Sequence, residues 1–151
     1  MRKVWAYLSS KALSETECKA LLEAGNHFVS NWTAHEMKLE AQFEIFKNRI
    51  IVVSVDESAH NASGCSIDKL LRFVKDAEKQ FGIELLNRLL VAVDAGTNIE
   101  VYKSSQIPAL LAEGKLNASS SIYNTSVSTE AELNNWLQPL GTTWLSKYLQ
   151  A

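Results

Sequence analysis

The sequence predicts an α+β fold in which a mainly antiparallel sheet carries helices. Two segments have apolar residues at helical spacing, and four others show the alternating or β-branched pattern of strands. Along the chain they follow the order β-α-β-β-α-β, which is the split βαβ arrangement of ferredoxin-like sandwiches. A length of 151 residues suits a single domain. We therefore expect one domain over 1–151, with a ferredoxin-like core over 1–103 and a C-terminal helix-strand-helix elaboration over 104–151.

The first half of the predicted core contains three strands and one helix. Residues 4–8 and 39–45 have strand patterns, and the latter alternates apolar with acidic or amide side chains, typical of one solvated face. Residues 14–17 form a capping box, Ser-Glu-Thr-Glu, that opens a helix. Its apolar stripe consists of Cys18, Leu21, Leu22, Gly25, Phe28, Val29 and Trp32. The short β-branched run at 50–55 predicts a strand buried on both faces.

The second half begins with a helix for which Ser66 is the expected N-cap. Asp68 would lie in its first turn, and its apolar stripe ends at Phe81. The remaining elements are expected as strands at 89–93 and 99–103, a helix at 106–113 and a strand at 122–127. A last helix is expected to begin at the capping box of Thr129 and to end at Pro139.

The charge balance and the cysteine count exclude several classes of protein. Lys plus Arg is 15 and Asp plus Glu is 17, a net charge of −2, so the basic footprint of a nucleic-acid binder is missing. No run reaches the roughly 18 apolar residues of a membrane helix, and no apolar stretch of signal length opens the chain. Cys18 and Cys65 are too few for a disulfide framework and are expected as thiols. We therefore expect a cytoplasmic protein that binds neither nucleic acid nor membrane.

The candidate site lies where two predicted loops share one end of the sheet. Chain direction alternates in a βαββαβ sandwich, so the loop after the first helix and the loop before the second helix meet at the same end. The first loop contains Trp32 and His35, and the second contains Asp56, His60 and the turn 64–66. We therefore expect a pocket between these loops.

Cys65 gives this end of the molecule its most reactive candidate. It lies beside the expected N-terminus of the second helix, where unpaired amides and the helix dipole favour a thiolate. His35 as base and Asp56 as the group that orients it would complete a nucleophilic arrangement. The alternative is that Cys65 packs as a small residue or makes a non-covalent contact.

The same loops also contain candidate ligand-binding residues: Trp32, Gly64, Ser66, Asp68 and His60. Amides of the turn 64–66 would hold an anion, although Asp68 opposes a strongly charged one. Trp32 either completes the core or forms a pocket wall whose indole N–H meets a ligand. No metal site is expected, because no short-spaced pair such as CxxC or HExxH anchors one.

Nucleotide-binding motifs are missing from the sequence. Gly82 and Gly96 lack the Lys-Ser/Thr partners of a phosphate-binding loop, so a P-loop ATPase is excluded and no cofactor is expected. Arg88 precedes a predicted strand at the opposite end of the sheet, where we expect it to form a structural ion pair.

Three stretches of the chain carry a family resemblance. They are 28–35, which ends in the pattern W-x-x-H, the run that ends in Val55-Asp56-Glu57, and 63–69, which contains S-G-C-S-I-D. They resemble a family of small bacterial proteins of unknown function, whose members are often labelled ABC-transporter ATPases. Residues 113–115 and 136–144 also fit, so the resemblance spans almost the whole chain. It directs attention to the same two loops and implies no activity, and the missing phosphate-binding loop argues against the ATPase label.

Two classes of function follow from these residues. The first is a small cytoplasmic binding or accessory protein, with a small molecule or a protein as its partner and a pocket between the two loops. The second is a thiol-dependent enzyme that uses Cys65, His35 and Asp56. A third hypothesis is a homo-oligomer that associates through an apolar tail containing Trp136, Trp144 and Tyr148.

Overall fold

The computed structural model describes residues 2–150 and confirms the α+β class. The strands and helices are β1 (Arg2–Leu8), α1 (Glu15–Ser30), β2 (Thr33–Ala34), β3 (Met37–Lys38), β4 (Glu40–Phe46), β5 (Ile50–Asp56), α2 (Gly64–Phe81), β6 (Leu90–Asp94), β7 (Ile99–Lys103), α3 (Ile107–Ala112), β8 (Ser121–Tyr123), α4 (Glu130–Leu133) and β9 (Leu137–Pro139). Short 3₁₀ segments precede α3 and form the tail at 140–142 and 144–150.

The first sheet has the order β1-β5-β4 and is antiparallel throughout. Its central strand, β5, is buried on both faces, as the β-branched run predicts. Ile51 and Val53 pack against α1 and α2, whereas Ile50 and Val52 pack on the opposite side. The alternation of a strand therefore explains why this run has no polar face.

A second antiparallel sheet, with the order β7-β6-β8-β9, covers that opposite side. One of its faces contributes Ala92, Ile99 and Tyr123 to the cluster shared with the first sheet. Its other face packs against α3 and the tail through Val91, Val93, Ile122, Ile107, Leu140 and Leu145. The molecule therefore has four layers: α1 and α2, the first sheet, the second sheet, then α3 with the tail.

The ferredoxin-like topology is not confirmed, because β6 does not lie beside β1. The strands β1, β5 and β4 take the expected order, but β6 pairs with β7 and β8 in the second sheet. A later segment covers the free edge of β1: Val4 N–H donates to the Ser128 carbonyl at 3.0 Å, and Lys3 forms a β-bridge with Thr129. The edge that a fourth strand needs is thus taken by residues 128–129.

Helix α2 begins three residues earlier than the sequence predicts. Its N-cap is Ser63, whose hydroxyl accepts a hydrogen bond from Ser66 N–H at 3.2 Å, while Ser66 Oγ accepts one from Ser63 N–H at 2.6 Å. Ser66 is therefore the third residue of the helix rather than its cap. Cys65 lies inside the first turn, and Asp68 lies beyond it.

The remaining differences between the expected and the observed fold lie in the tight turns and in the last third of the chain. His35 and Glu36 have positive φ angles, as the two-residue turn of the β2–β3 hairpin requires. Lys47 and Asn48 also have positive φ angles, in the three-residue connection between the paired residues Phe46 and Ile50, where Arg49 N–H donates to the Phe46 carbonyl at 3.0 Å. The hairpin that contains His35 was not expected from the sequence. Thr129 caps α4 as predicted, but this helix ends at Leu133, and Pro139 lies in β9 rather than at a helix end.

Candidate functional site

The two loops that were predicted to converge do meet at one end of the first sheet. The β2–β3 hairpin contributes Ala34, His35 and Met37, and the β5–α2 loop contributes residues 57–63. Together they line an open cleft of about 480 Å³, which we call the loop cleft. Both predicted histidines, His35 and His60, line it, so this part of the expected pocket is present.

Hydrogen bonds within the β5–α2 loop hold one wall of the loop cleft. Glu57 Oε2 accepts a hydrogen bond from Ala62 N–H at 2.8 Å, and Asp56 Oδ1 accepts one from Ser58 N–H at 3.0 Å. The Ser58 N–H, with help from the charge of Arg2, holds the pKa of the Asp56 carboxyl below its usual value. Both carboxylates are therefore engaged by their own loop.

Trp32 belongs to the core behind the loop cleft and not to its lining. Its side chain is 1% exposed, and its ring packs against Phe28 at a centroid distance of 5.2 Å and against Trp5 at 5.8 Å. The indole N–H donates to the carbonyl of Ser66 at 2.8 Å, which joins the end of α1 to the first turn of α2. Since this donor is already used, Trp32 serves here to position the two walls.

Three further ligand-binding candidates, Gly64, Ser66 and Asp68, also lie outside the lining. Ser66 is fully buried, and its hydroxyl donates to the Ser63 carbonyl at 2.8 Å in addition to its capping bond. Gly64 and Asp68 are exposed on the first turns of α2. Of the predicted ligand-binding residues, His60 is thus the one that faces the loop cleft.

The two cysteines have opposite environments. Cys65 is exposed in the first turn of α2, whereas Cys18 is buried, and its thiol donates to Asn48 Oδ1 at 3.4 Å. Burial raises the pKa of the Cys18 thiol. Within residues 2–150, no hydrogen bond joins Cys65 to His35 or Asp56, and no three His, Cys, Asp or Glu side chains form a metal-binding group. The catalytic assignment of Cys65, His35 and Asp56 stays a prediction.

A second, more enclosed cavity was not foreseen from the sequence. It measures about 230 Å³ and lies between β6, β8, β9 and the tail, and we call it the tail cavity. Its lining includes Arg88, Thr125, Gln138 and Trp144. The lining residues come from four separate stretches of the chain, so no local motif marks them.

Arg88 does not form the structural ion pair that was expected. Its Nη1 donates to the carbonyls of Ala6 at 3.2 Å and Thr125 at 3.4 Å, and its guanidinium carbon lies 5.7 Å from the centroid of the Tyr7 ring. In the described part of the chain, the ion pairs are those of Arg2, Lys11, Lys47 and Lys115. Arg88 is therefore fixed by backbone oxygens.

The aromatic residues proposed for self-association are only partly free. Trp136 packs between Phe46 and Tyr123, with both ring centroids at 5.1 Å, and Tyr148 packs against the tail cluster. Trp144 remains 49% exposed. The homo-oligomer hypothesis therefore depends mainly on Trp144 and stays a prediction.

Comparison with known proteins gives no match to a family model, a curated protein or a solved structure. The resemblance to small bacterial proteins thus stays a prediction. Across residues 2–150, no helix combines the length and the apolar character that crossing a membrane requires.

Proposed function

We propose that the protein is a small cytoplasmic binding protein whose ligand site is the loop cleft. The observation that supports this most is the convergence of two imidazoles, His35 and His60, from separate loops on one cleft of about 480 Å³. Neither imidazole forms a hydrogen bond with another side chain within residues 2–150. Their nitrogens are therefore free to bind a ligand.

The chemistry of the lining favours a small polar molecule. Imidazole nitrogens donate and accept hydrogen bonds, and the hydroxyl of Ser58 and the amide of Asn61 add further polar groups. Met37, which is half exposed, provides an apolar contact on the hairpin side. The engaged carboxylates of the β5–α2 loop leave the histidines as the main recognition groups.

The test is an NMR titration of the ¹⁵N-labelled protein with small polar fragments. Binding in the loop cleft is expected to shift the amide signals of residues 34–37 and 57–63, and His60→Ala should abolish those shifts. His27→Ala is the matched control, because His27 is an exposed histidine on α1 that does not line the cleft. Fragments that shift only amides elsewhere, or that bind His60→Ala as well as the parent, would refute this proposal.

The thiol-dependent enzyme is the alternative, and the exposure of Cys65 in the first turn of α2 favours it. Its test is the rate of alkylation against pH, followed by mass spectrometry with buried Cys18 as internal control. An alkylation midpoint well below about 8.5, which moves in His35→Ala, would support a stabilised thiolate. An ordinary midpoint would remove the enzyme hypothesis and leave the binding proposal intact.

A further inference from the structure

We propose that the tail cavity is a second binding site, for a small organic carboxylate that carries one flat ring. The proposal depends on Arg88, on the charges around it and on the exposed indole of Trp144. It is independent of the loop cleft, which lies at the end of the first sheet formed by β2, β3 and the β5–α2 loop.

The hydrogen bonds of Arg88 leave one edge of its guanidinium free. Both bonds to the protein, to Ala6 and Thr125, start from Nη1. An arginine has five N–H donors, so the donors on Nε and Nη2 remain for a ligand. That edge matches the two oxygens of a carboxylate in a bidentate pair. The cavity lining therefore contains a ready partner for a carboxylate.

Arg88 is also held in place before any ligand arrives. Two carbonyl oxygens fix Nη1, and the guanidinium lies over the ring of Tyr7. Fixing a long side chain in advance reduces the entropy lost on binding.

The charges at the tail cavity favour an anion. Arg88 is the one charged residue of the lining, which contains no Asp or Glu. A second positive charge lies outside the lining but close to one of its residues, since Lys147 Nζ is 5.5 Å from the centroid of the Trp144 ring. In the part of the chain that the structure describes, no carboxylate forms an ion pair with either side chain.

The remaining lining sets the size and shape of the ligand. Trp144 is 49% exposed and lines the cavity, so the face of its indole that Lys147 does not cover can stack on a flat ring. The side chains of Thr125, Ser126 and Gln138 also line it and form no hydrogen bond within residues 2–150. A volume of about 230 Å³ is smaller than the roughly 300–1,000 Å³ of drug-sized sites, which suits one ring with a carboxylate.

The test compares three probes by NMR at constant ionic strength: benzoate, benzyl alcohol and acetate. Benzyl alcohol keeps the ring without the charge, and acetate keeps the charge without the ring. Benzoate is expected to shift the Trp144 indole signal and the amides of residues 124–126 saturably. Its Kd should be about tenfold or more below those of the other two probes. Equal affinity for benzoate and benzyl alcohol would overturn the role of Arg88.

Variants separate the site from a general effect of charge. Arg88→Gln should raise the Kd for benzoate about tenfold or more, whereas Arg72→Gln, at an exposed arginine on α2, should not change it. Arg88→Lys keeps the charge without the fork and should also weaken binding.

If Arg88→Gln fails to fold, the same benzoate titration of Arg88→Lys and of Gln138→Ala decides whether the site exists. Benzoate binding that stays unchanged in a folded Arg88 variant, or shifts that do not saturate, would refute the site. Shifts at residues 34–37 would instead place benzoate in the loop cleft.

Discussion

The two sheets of this protein are built in different ways. The first combines seven-residue strands, paired over their full length, with helices of 16 and 18 residues. The second has strands of three to five residues, and its neighbours in the tail are 3₁₀ segments. Long-range backbone bonds support it, such as Leu140 N–H to the Ser120 carbonyl at 2.7 Å. Local periodicity thus organises the first sheet with its helices, and contacts between distant segments organise the second.

The largest expected effect is in the helix layer of the first sheet. Trp32→Ala should lower the free energy of unfolding by about 3–5 kcal/mol, because a fully buried indole leaves a large cavity. Trp32→Phe keeps most ring contacts but removes the indole hydrogen bond to the Ser66 carbonyl, which keeps its bond within α2, at a cost of about 0.5–1.5 kcal/mol. Urea unfolding followed by circular dichroism measures both. A Trp32→Phe variant as stable as the parent would show that the indole hydrogen bond contributes nothing.

The second effect asks whether the tail is part of the same cooperative core. Leu145 is fully buried in the tail cluster, so Leu145→Ala should cost about 2–5 kcal/mol. Leu149→Ala, at a leucine that is 42% exposed in the same segment, should change stability by about 0.5 kcal/mol or less. Coincident unfolding curves from fluorescence and circular dichroism would show one transition. Two separate transitions would mean that the second sheet unfolds independently.

A smaller effect, of unusual sign, is expected at Gly25 in α1. Replacing a helical glycine by alanine ordinarily stabilises a protein by roughly 0.5–1 kcal/mol. At Gly25 a Cβ would overlap the ring of Phe43, so Gly25→Ala should instead cost about 1–3 kcal/mol. Gly64→Ala is the matched control, since open space surrounds Gly64 and no loss is expected. Thermal unfolding distinguishes the pair, and equal midpoints would contradict the close approach of α1 to β4.

The smallest expected effect concerns the link between the sheets and depends on pH. Lys47, in the β4–β5 turn, donates to Asp94 Oδ1 at 3.3 Å, to the Gly96 carbonyl at 2.7 Å and to Tyr123 OH at 3.1 Å. Burial raises the pKa of Asp94, but the Gly96 N–H and Lys47 outweigh it and hold that pKa below its usual value.

An acid whose pKa is lower in the folded state stabilises the fold above its unfolded pKa, here about 3.9. The parent should therefore be more stable than Asp94→Asn at pH 7, and the difference should shrink as the pH falls below about 4. Urea unfolding at pH 7, 4 and 3 measures it. A difference that stays constant with pH would show that the charge of Asp94 does not join the sheets.

Much of the first sheet could be predicted because its signals are local. The capping box of Ser14 and Glu17 is present, and the strand at 50–55 lies where its β-branched run indicates. The start of α2 could not be chosen between Ser63 and Ser66, since two serines three residues apart both carry a capping hydroxyl. The β2–β3 hairpin was missed because His35 and Glu36 lack the Asn-Gly signal of its turn.

The two cavities also differ in how far the sequence predicts them. The loop cleft was predictable because it follows from the direction of the chain in β1, α1, β4, β5 and α2. The tail cavity was not, because the two carbonyls that fix Arg88 lie 82 and 37 residues away in sequence. The direction of the Asp56 side chain could not be predicted either, since its carboxylate accepts a hydrogen bond from Ser58 N–H in its own loop.

The covering of β1 by residues 128–129 has a consequence for synthesis on the ribosome. β1 is translated before the segment that covers it, because Ser128, the acceptor for Val4 N–H, follows 124 residues later. At about 5–20 residues per second, that interval is roughly 6–25 s. An open strand edge is a template for pairing with other chains. The yield of folded protein should therefore depend on translation rate and on chaperones that shield the nascent edge.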